Sequence, residues 1–338
     1  LSSVYEVTMG NEVDKEVVLP EPLPNNELVA QPNDGGGQSL VEEGEEEHDA
    51  NINNDNAIVF KLKSPASGKW ITLVMFEDEE NKVTLEEMFF HFEHLFQLRG
   101  LNMKTSFEDE RGGVPWNYLA WWDFEMIQDL VEQMNETIKS RASSNCLTSK
   151  WFMPSPCTAR QIKQLSIKVF KRVVKNARVL NHCYKGFSSF TYGETTPDQL
   201  EIIFNRLKMT EKDVFVDLGS GVGNVVTYAA GYTQAKSCVG IEVNAVPAQF
   251  ATNMKKEFEN MMSWYGKECR PIELIHDSFL VEKHRKLIIE EATVIYINNF
   301  AFEADLMFQI KDLIKDMSHG TRIICTKSLL EERPETTR

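Results

Sequence analysis

The sequence has few cysteines, no long apolar run and almost no basic residues near its start. Its six cysteines form no CxxC pair and no histidine cluster has ligand spacing, which excludes a zinc-binding frame and a disulfide scaffold. No apolar run approaches the roughly 18–20 residues that span a membrane, and no signal peptide is expected. Cys238 and Cys325 lie in apolar runs typical of central strands, so a reducing compartment is expected.

The formal net charge of −15 is concentrated in the first part of the chain. Residues 1–56 contain 14 acidic residues and one basic residue, Lys15, which leaves 37 acidic and 35 basic residues in 57–338. The segment is also rich in glycine, proline and asparagine, so it has too little apolar surface to offset the entropy of ordering. We therefore predict a disordered acidic tail over 1–56 and a nearly neutral folded part.

Residues 57–185 are predicted to form a small mixed or helical N-terminal subdomain. It begins with two short strands joined by a Ser-Pro-Ala-Ser-Gly turn, and apolar residues recur at helical spacing in 85–98 and 121–138.

A basic segment, 150–185, ends this subdomain and contains no Asp or Glu. Ile162, Leu165, Val169 and Val173 recur at steps of three and four, which predicts one buried helical stripe. Three cations that lie mostly off the stripe are candidate contacts to DNA phosphates: Lys171, Lys175 and Arg178. The alternative is a solvated helix face without a partner.

From Asp213 onward, short Val- and Ile-rich runs alternate with helical patterns. The strand-like runs are VFVDLG, CVGIEV, IELIH, TVIYINN and TRIICT. Such alternation is typical of βαβ units and of a doubly wound, mostly parallel sheet, so 186–338 is predicted to be an α/β domain.

A glycine-rich loop, 217–223, follows the first of these runs and opens a helix, where a parallel sheet binds a nucleoside or an anion. Its D-x-G-x-G-x-G spacing differs from the dinucleotide fingerprint G-x-G-x-x-G and resembles motif I of class I methyltransferases, which bind S-adenosylmethionine. Glu242 ends the second strand, where a carboxylate can bind ribose hydroxyls; the alternative is a solvated charge. Ser278 and Phe279 follow the third strand and would border the adenine, although Phe279 could instead be a core residue.

Further motifs flank the glycine loop: YGET at 192–195, WYGK at 264–267, NNFAF at 298–302 and, near the start of the subdomain, LKSP at 62–65. In this order and spacing, the set resembles the disruptor-of-telomeric-silencing family, the non-SET histone methyltransferases that act on lysine 79 of histone H3. The resemblance implies a class I S-adenosylmethionine-dependent fold (Rossmann-like α/β) and this activity.

The same resemblance implies roles for individual residues. It implies no bound metal ion. The residues expected to bind S-adenosylmethionine are Tyr192, Gly193, Glu194, Thr195, Phe215, Asp217, Gly219, Ser220, Gly221, Gly223, Asn224, Glu242, Ser278 and Phe279. Asn298 is expected to orient the lysine amine as the catalytic residue, with the alternative that the Asn-Asn pair caps a helix. Phe187 and Phe300 are expected to line the lysine channel.

The sequence departs from this family at its end. The family's domain continues with two further strands and a Lys-rich DNA-binding stretch, whereas this chain stops at Arg338. The C-terminal strands are therefore expected to be missing, which would expose a sheet edge. Two alternatives stay open: a cofactor- or chromatin-binding paralogue without a complete channel, and a class I methyltransferase of RNA or a small molecule.

The expected partners are histone H3 in the nucleosome and nucleosomal DNA, the latter through the basic segment. A monomeric nuclear protein without membrane contact is expected.

Overall fold

The computed structural model describes residues 3–8, 15–18, 57–76, 81–98, 124–141, 149–175, 179–180 and 195–329. The strands are β1 (Ser3–Thr8), β2 (Lys15–Val18), β3 (Ala57–Lys63), β4 (Trp70–Phe76), β5 (Val214–Leu218), β6 (Ser237–Glu242), β7 (Ile272–His276), β8 (Val294–Ile297) and β9 (Arg322–Cys325). The helices are α1 (Lys82–Phe96), α2 (Phe124–Arg141), α3 (Ala159–Val173), α4 (Pro197–Leu207), α5 (Asn224–Tyr232), α6 (Ala245–Trp264) and α7 (Ala304–Ile314). A 3-10 turn (Glu282–His284) and a π-helical turn (Leu287–Glu291) lie between β7 and β8. No helix in these ranges is long and apolar enough to cross a membrane.

The centre of the molecule is a seven-stranded sheet in the order β2-β1-β9-β8-β5-β6-β7. The strands from β9 to β7 in this order are parallel, and they are the five runs predicted from the sequence. The antiparallel pairings of this sheet are those of β1 with β2 and with β9. The prediction of a doubly wound, mostly parallel α/β fold is thus confirmed.

Alternate residues of the central strands enter two different core clusters, one on each face of the sheet. Phe215 and Tyr296 lie in the cluster that also contains side chains of α3, α5 and α6. Val216 and Ile295 lie in the cluster that contains side chains of α7. Because both faces are buried, these strands are continuous apolar runs and not alternating ones. Each fully buried Val, Ile or Phe stabilises the fold by about 1.5–3 kcal/mol relative to exposure.

The first residues of the chain contribute two strands to this sheet, which corrects two expectations. The β1 strand pairs antiparallel with β9, with Tyr5 opposite Cys325 and Thr8 opposite Arg322, and β2 pairs with β1. The edge of β9 is therefore covered and not exposed. The prediction of disorder over all of 1–56 is wrong for Ser3–Thr8 and Lys15–Val18, whereas 19–56 lies outside the described residues.

The physical reason is that the unpaired N–H and C=O groups of an edge strand form a ready site for another strand. Within SVYEVT, Tyr5 packs against the α7-side cluster and the Glu6 carboxylate pairs with the Arg206 guanidinium at 2.7 Å. The average composition of 56 residues does not reveal a strand of only six residues.

A hairpin of β3 and β4 packs against the C-terminal end of α6. The Ser64 hydroxyl donates to the Trp264 carbonyl, and the Trp264 indole N–H donates to the Leu62 carbonyl at 3.1 Å. The outer edge of β3 is covered by Asn135 of α2, whose side chain bonds to the Lys61 carbonyl and the Lys63 N–H at 2.8 Å each. The LKSP and WYGK motifs therefore contact each other directly.

The predicted stripe of α3 is buried at Ile162, Leu165 and Val169, and a Thr158 capping box begins the helix. Core residues of β3, α1, α2 and α3 belong to the same cluster as Phe215 of β5. The predicted boundary between 185 and 186 lies outside the described residues, but the segments on either side of it share this core.

Candidate active site

The glycine-rich loop between β5 and α5 adopts a backbone that favours glycine at three positions. Gly219, Gly221 and Gly223 have φ angles of 84°, 56° and 85°. A Cβ on Gly223 would lie 3.1 Å from Leu274 Cδ1, so the helix packs closely on the sheet here. A Cβ on Gly219 would lie 3.2 Å from the Phe302 ring. The loop therefore combines left-handed turns with close packing, and both require glycine.

Glu242, at the end of β6, ties this loop to the neighbouring strand. Its Oε2 accepts from the Gly221 N–H at 2.8 Å, and its Oε1 accepts from the Asn244 N–H at 2.8 Å. The residue is only 5% exposed. The alternative of a solvated surface charge is therefore wrong, and the carboxylate holds the loop in place. Its predicted contact with a ribose stays a prediction.

Asp217 lies in β5, beside Gly240 of β6 and Tyr296 of β8. It is 2% exposed, and its Oδ1 has no hydrogen-bond partner in the described part of the chain. Burial, and secondly the Glu242 carboxylate, raise the pKa of the Asp217 carboxyl well above its usual value. A cationic ligand beside this buried carboxyl would lower its pKa again and favour its charged form.

The residues after β7 form a turn beside Glu242. The Asp277 N–H donates to the Glu242 carbonyl at 2.9 Å, and the Asp277 carboxylate pairs with Lys283 and, at 3.1 Å, with His284. The hydrogen bond from Lys283 lowers the pKa of Asp277 to about 2. Asp277 is therefore an anion at neutral pH.

The two predicted adenine contacts, Ser278 and Phe279, have structural roles in this turn. The Ser278 hydroxyl accepts from the Leu280 N–H at 3.2 Å. Phe279 is 7% exposed and packs in the α7-side cluster. The core reading of Phe279 is confirmed, and any contact of its ring edge with a base stays a prediction.

Two asparagines follow β8 at the same edge of the sheet. Asn298 Oδ1 accepts from the Thr326 hydroxyl at 3.0 Å, just beyond the end of β9. Asn299 is fully buried, and its Oδ1 accepts from the Thr326 and Lys327 N–H groups at 3.0 and 2.9 Å. The cap residue of α7 is Glu303, so the alternative that the Asn-Asn pair caps this helix is wrong.

Thr195 is the described member of the YGET motif. Its hydroxyl is hydrogen-bonded to the Tyr296 hydroxyl, which brings the end of this motif beside the strand pair that contains Asp217. Phe187, Tyr192, Gly193 and Glu194 lie outside the described residues.

The remaining predicted residues lie at different depths in the structure. Phe300 is half-exposed just beyond Asn298 and Asn299. Phe215 is fully buried in the core behind the loop, Ser220 is buried beside Gly240, and Asn224 is the first residue of α5. A direct contact of Phe215 with a ligand therefore has no support from its position.

The sequence interpretation missed three residues of this region: Tyr296, Phe302 and Thr326. Tyr296 lies in the TVIYINN run and Phe302 ends the NNFAF motif, so a polar aromatic residue inside an apolar strand and an aromatic residue after it were available signals. Thr326 carries no comparable signal, because it contacts Asn298 only through the pairing of β8 with β9.

The basic segment is partly neutralised by acidic neighbours. Lys171 pairs with Glu86 at 2.9 Å, and Arg172 pairs with Glu87 at 3.0 Å. Lys175 is exposed, and Arg178 lies outside the described residues. An exposed pair such as Lys171–Glu86 contributes only about 0–1 kcal/mol. Among the described residues, no cluster of acidic, histidine or cysteine side chains could hold a metal ion.

Comparison with known proteins places this chain among its relatives. The family described as "Histone methylation protein DOT1" matches residues 170–338, half of the chain. The chain is 42% identical over 217 residues to "Histone-lysine N-methyltransferase, H3 lysine-79 specific" of Caenorhabditis elegans, covering 62% of this chain and 23% of that protein. It is 33% identical to the protein of the same description in Drosophila melanogaster, covering 61% and 11% respectively.

The chain thus spans a quarter or less of the length of these two relatives. Among solved structures, an RNA methyltransferase from Salinibacter ruber in complex with S-adenosyl-L-homocysteine has a TM-score of 0.30 and 20% identity, covering 39% of this chain and 76% of that one. The sheet, the glycine loop and the family match agree: the chain belongs to the DOT1 family of histone methylation proteins.

Proposed function

We propose that this chain is a histone-lysine methyltransferase that transfers a methyl group from S-adenosylmethionine to lysine 79 of histone H3 in the nucleosome. The observation that carries the proposal is the arrangement of Asp217, Glu242 and Asn298 at the carboxyl ends of adjacent parallel strands, in a chain of this family. Ligands of open α/β sheets bind at this edge.

The residues present fit a cationic nucleoside cofactor. Asp217 has an unsatisfied buried oxygen and a raised pKa, and a positively charged group nearby would favour its ionised form. Glu242 and the loop of Gly219 to Gly223 would hold the ribose and the amino-acid part. When bound, S-adenosylmethionine supplies a methyl group on a positively charged sulfur. In this proposal Tyr192, Gly193, Glu194 and Thr195 close over its amino-acid portion.

Asn298 is the residue that we assign to orientation of the lysine amine. An amide oxygen can accept a hydrogen bond from a neutral amine and so direct the nitrogen lone pair. Methyl transfer from a sulfonium needs a neutral amine and little acid–base help, so positioning is the main contribution of the protein. Correct orientation alone can lower an activation barrier by about 7 kcal/mol or more.

Phe187 and Phe300 are proposed to exclude water from the amine. An apolar, dry channel beside a positive charge favours the neutral form of a lysine, because desolvation and like-charge repulsion both lower its pKa. Phe300 follows Asn298 by two residues, and its side chain is about half-exposed.

The substrate assignment is tested with the purified chain, radiolabelled S-adenosylmethionine and four substrates. These are nucleosomes, nucleosomes in which lysine 79 of histone H3 is replaced by arginine, free histones and RNA. We expect labelling of the unmodified nucleosome and at least tenfold less of the arginine nucleosome. Equal labelling of both nucleosomes would contradict the site, and labelling of RNA alone would support the other substrate class.

We further propose that the protein acts as a nuclear monomer and that the basic helix contacts nucleosomal DNA. Each lysine that neutralises a phosphate adds about 0.9 to the slope of log affinity against log salt. Lys171→Gln with Lys175→Gln is expected to reduce this slope by up to about 2. Lys139→Gln on α2, also an exposed ion-paired lysine, is the matched control. An unchanged slope would leave the basic segment as a solvated helix face.

A further inference from the structure

Thr326, the first residue after β9, lies between the two asparagines of the NNFAF motif. Its hydroxyl is 3.0 Å from Asn298 Oδ1 and 3.3 Å from Asn299 Oδ1. The residue is only 5% exposed, and its own N–H donates to Asn299 Oδ1. The threonine is therefore held by its backbone while its side chain faces both amides.

Counting lone pairs decides which amide receives the hydroxyl proton. Asn299 Oδ1 already accepts two backbone N–H groups, from Thr326 at 3.0 Å and from Lys327 at 2.9 Å, and an amide oxygen has two lone pairs. Asn299 Nδ2 donates back to the Lys327 carbonyl at 2.8 Å, which fixes the orientation of that amide. The single hydroxyl proton of Thr326 is thus directed to Asn298 Oδ1.

We propose that Thr326 is a positioning residue that sets the plane of the Asn298 amide for methyl transfer. This inference rests on the proposed function, in which Asn298 orients the lysine amine. With the Asn298 amide reversed, the hydroxyl could accept from Nδ2, but its own proton would then face only Asn299 Oδ1, which already accepts two N–H groups. The orientation with Asn298 Oδ1 toward Thr326 is therefore favoured. Thr326 itself acts through Asn298.

Strand pairing holds the threonine at this place. Cys325 pairs with Ile297 of β8 and with Tyr5 of β1, and the Thr326 N–H also lies 3.3 Å from the Ile297 carbonyl. The hydroxyl is consequently carried by the rigid part of the sheet and not by a loop. A group mounted in this way can hold a partner within a fraction of an ångström, as catalytic orientation demands.

The test uses Thr326→Val, which keeps the shape and removes the hydroxyl, and Thr326→Ser, which keeps the hydroxyl. Thr321→Val is the matched control, because Thr321 is also buried and lies at the opposite end of β9. For each variant, kcat and KM on nucleosomes, the Kd for S-adenosylhomocysteine and Tm are measured. We expect Thr326→Val to lower kcat about tenfold or more, with Kd and KM within about threefold. Thr326→Ser is expected to keep most of the wild-type kcat.

A double-mutant cycle separates positioning from a general structural role. In an Asn298→Ala background, Thr326→Val should cause no further loss of kcat, because its partner is gone. Three outcomes would overturn the proposal. They are an equal loss of kcat in both backgrounds, an equal loss of kcat in Thr321→Val, and a kcat for Thr326→Ser as low as that of Thr326→Val.

A spectroscopic measurement makes the inference independent of turnover. With ¹⁵N-asparagine labelling, the side-chain NH₂ signals of Asn298 should move or broaden in Thr326→Val and stay unchanged in Thr321→Val. If wild-type protein labels no nucleosome, the proposed function fails, and the amide signals still decide whether Thr326 orients Asn298. If wild-type protein is active and neither kcat nor these signals change, only the positioning role fails.

Discussion

The glycine loop after β5 and the asparagine pair after β8 lie at the same edge of the sheet, but different kinds of contact hold them. The loop owes its shape to left-handed glycines a few residues apart and to one carboxylate, Glu242, on the next strand. The asparagine pair depends on Thr326 and Lys327 after β9, a strand that pairs with the first residues of the chain. Both halves of the proposed site use contacts between adjacent strands, but the strand that supports the asparagine pair also pairs with the first residues of the chain.

The largest effect that would separate the two halves is expected from Asn298→Ala. Loss of an orienting hydrogen bond at the reacting centre is expected to lower kcat by about 100-fold or more, comparable to the loss of one precisely placed polar group in other active sites. The Kd for the cofactor should stay within about threefold, because the glycine-loop half is untouched. Rates by radiolabel transfer and affinities by calorimetry check both expectations.

Gln309→Ala, which truncates an exposed amide on α7, is the control and should behave as wild type. A large rise in the cofactor Kd of the Asn298 variant would mean that the two halves are not separate. An unchanged kcat would remove Asn298 from the mechanism.

Removal of residues 1–18 tests how strongly the asparagine half depends on β1. The deletion exposes the edge of β9 and the cluster surface under Tyr5, so we expect a loss of about 2–3 kcal/mol in the free energy of unfolding and self-association through the open edge. Urea denaturation and size-exclusion chromatography measure the two effects.

Glu6→Gln serves as the milder partner of this deletion. It removes only the negative charge from the pair with Arg206, so it should cost no more than about 1 kcal/mol. A truncated chain as stable and monomeric as the full one would show that β1 adds nothing to the sheet.

A smaller effect is expected from Asp217→Asn in the glycine-loop half. Because the folded-state pKa of Asp217 is raised, the native state binds more protons than the unfolded state above the ordinary carboxyl range. The stability of the wild type should therefore fall as pH rises through the raised pKa, and the asparagine variant should lack this fall. Thermal unfolding from pH 4 to pH 9 measures the difference.

The same variant should bind S-adenosylmethionine about tenfold more weakly, since it lacks the negative charge that would face a cation. Asp312→Asn, at an exposed position of α7, is the control for both measurements. Equal pH profiles for wild type and Asp217→Asn would show that the carboxyl does not titrate in this range.

Prediction from sequence succeeded where the signal is local. Val214–Leu218 and Val294–Ile297 are apolar runs bounded by turn residues, and the stripe of Ile162, Leu165 and Val169 repeats at helical spacing. It failed for Ser3–Thr8, because a single six-residue strand in an acidic, polar segment is stabilised by its partner strand and not by its own composition.

Asn299 and Phe302 show an intermediate case. Their motif indicated a functional segment, but not that Asn299 joins β8 to the residues after β9 or that the Phe302 ring packs under Gly219. Motif recognition identifies residues that matter together without giving the contacts through which they act.

The sequence by itself determined the strands of the parallel sheet, the glycine loop with Asp217, and Glu242 at the next strand end, because backbone preference and spacing act over a few residues. Only the tertiary structure decided which strand covers β9, that Ser64 meets the Trp264 carbonyl, and that the Thr326 hydroxyl meets Asn298. These contacts join residues 320, 200 and 28 positions apart. Closing such distances depends on the packing of the whole core, which no local pattern encodes.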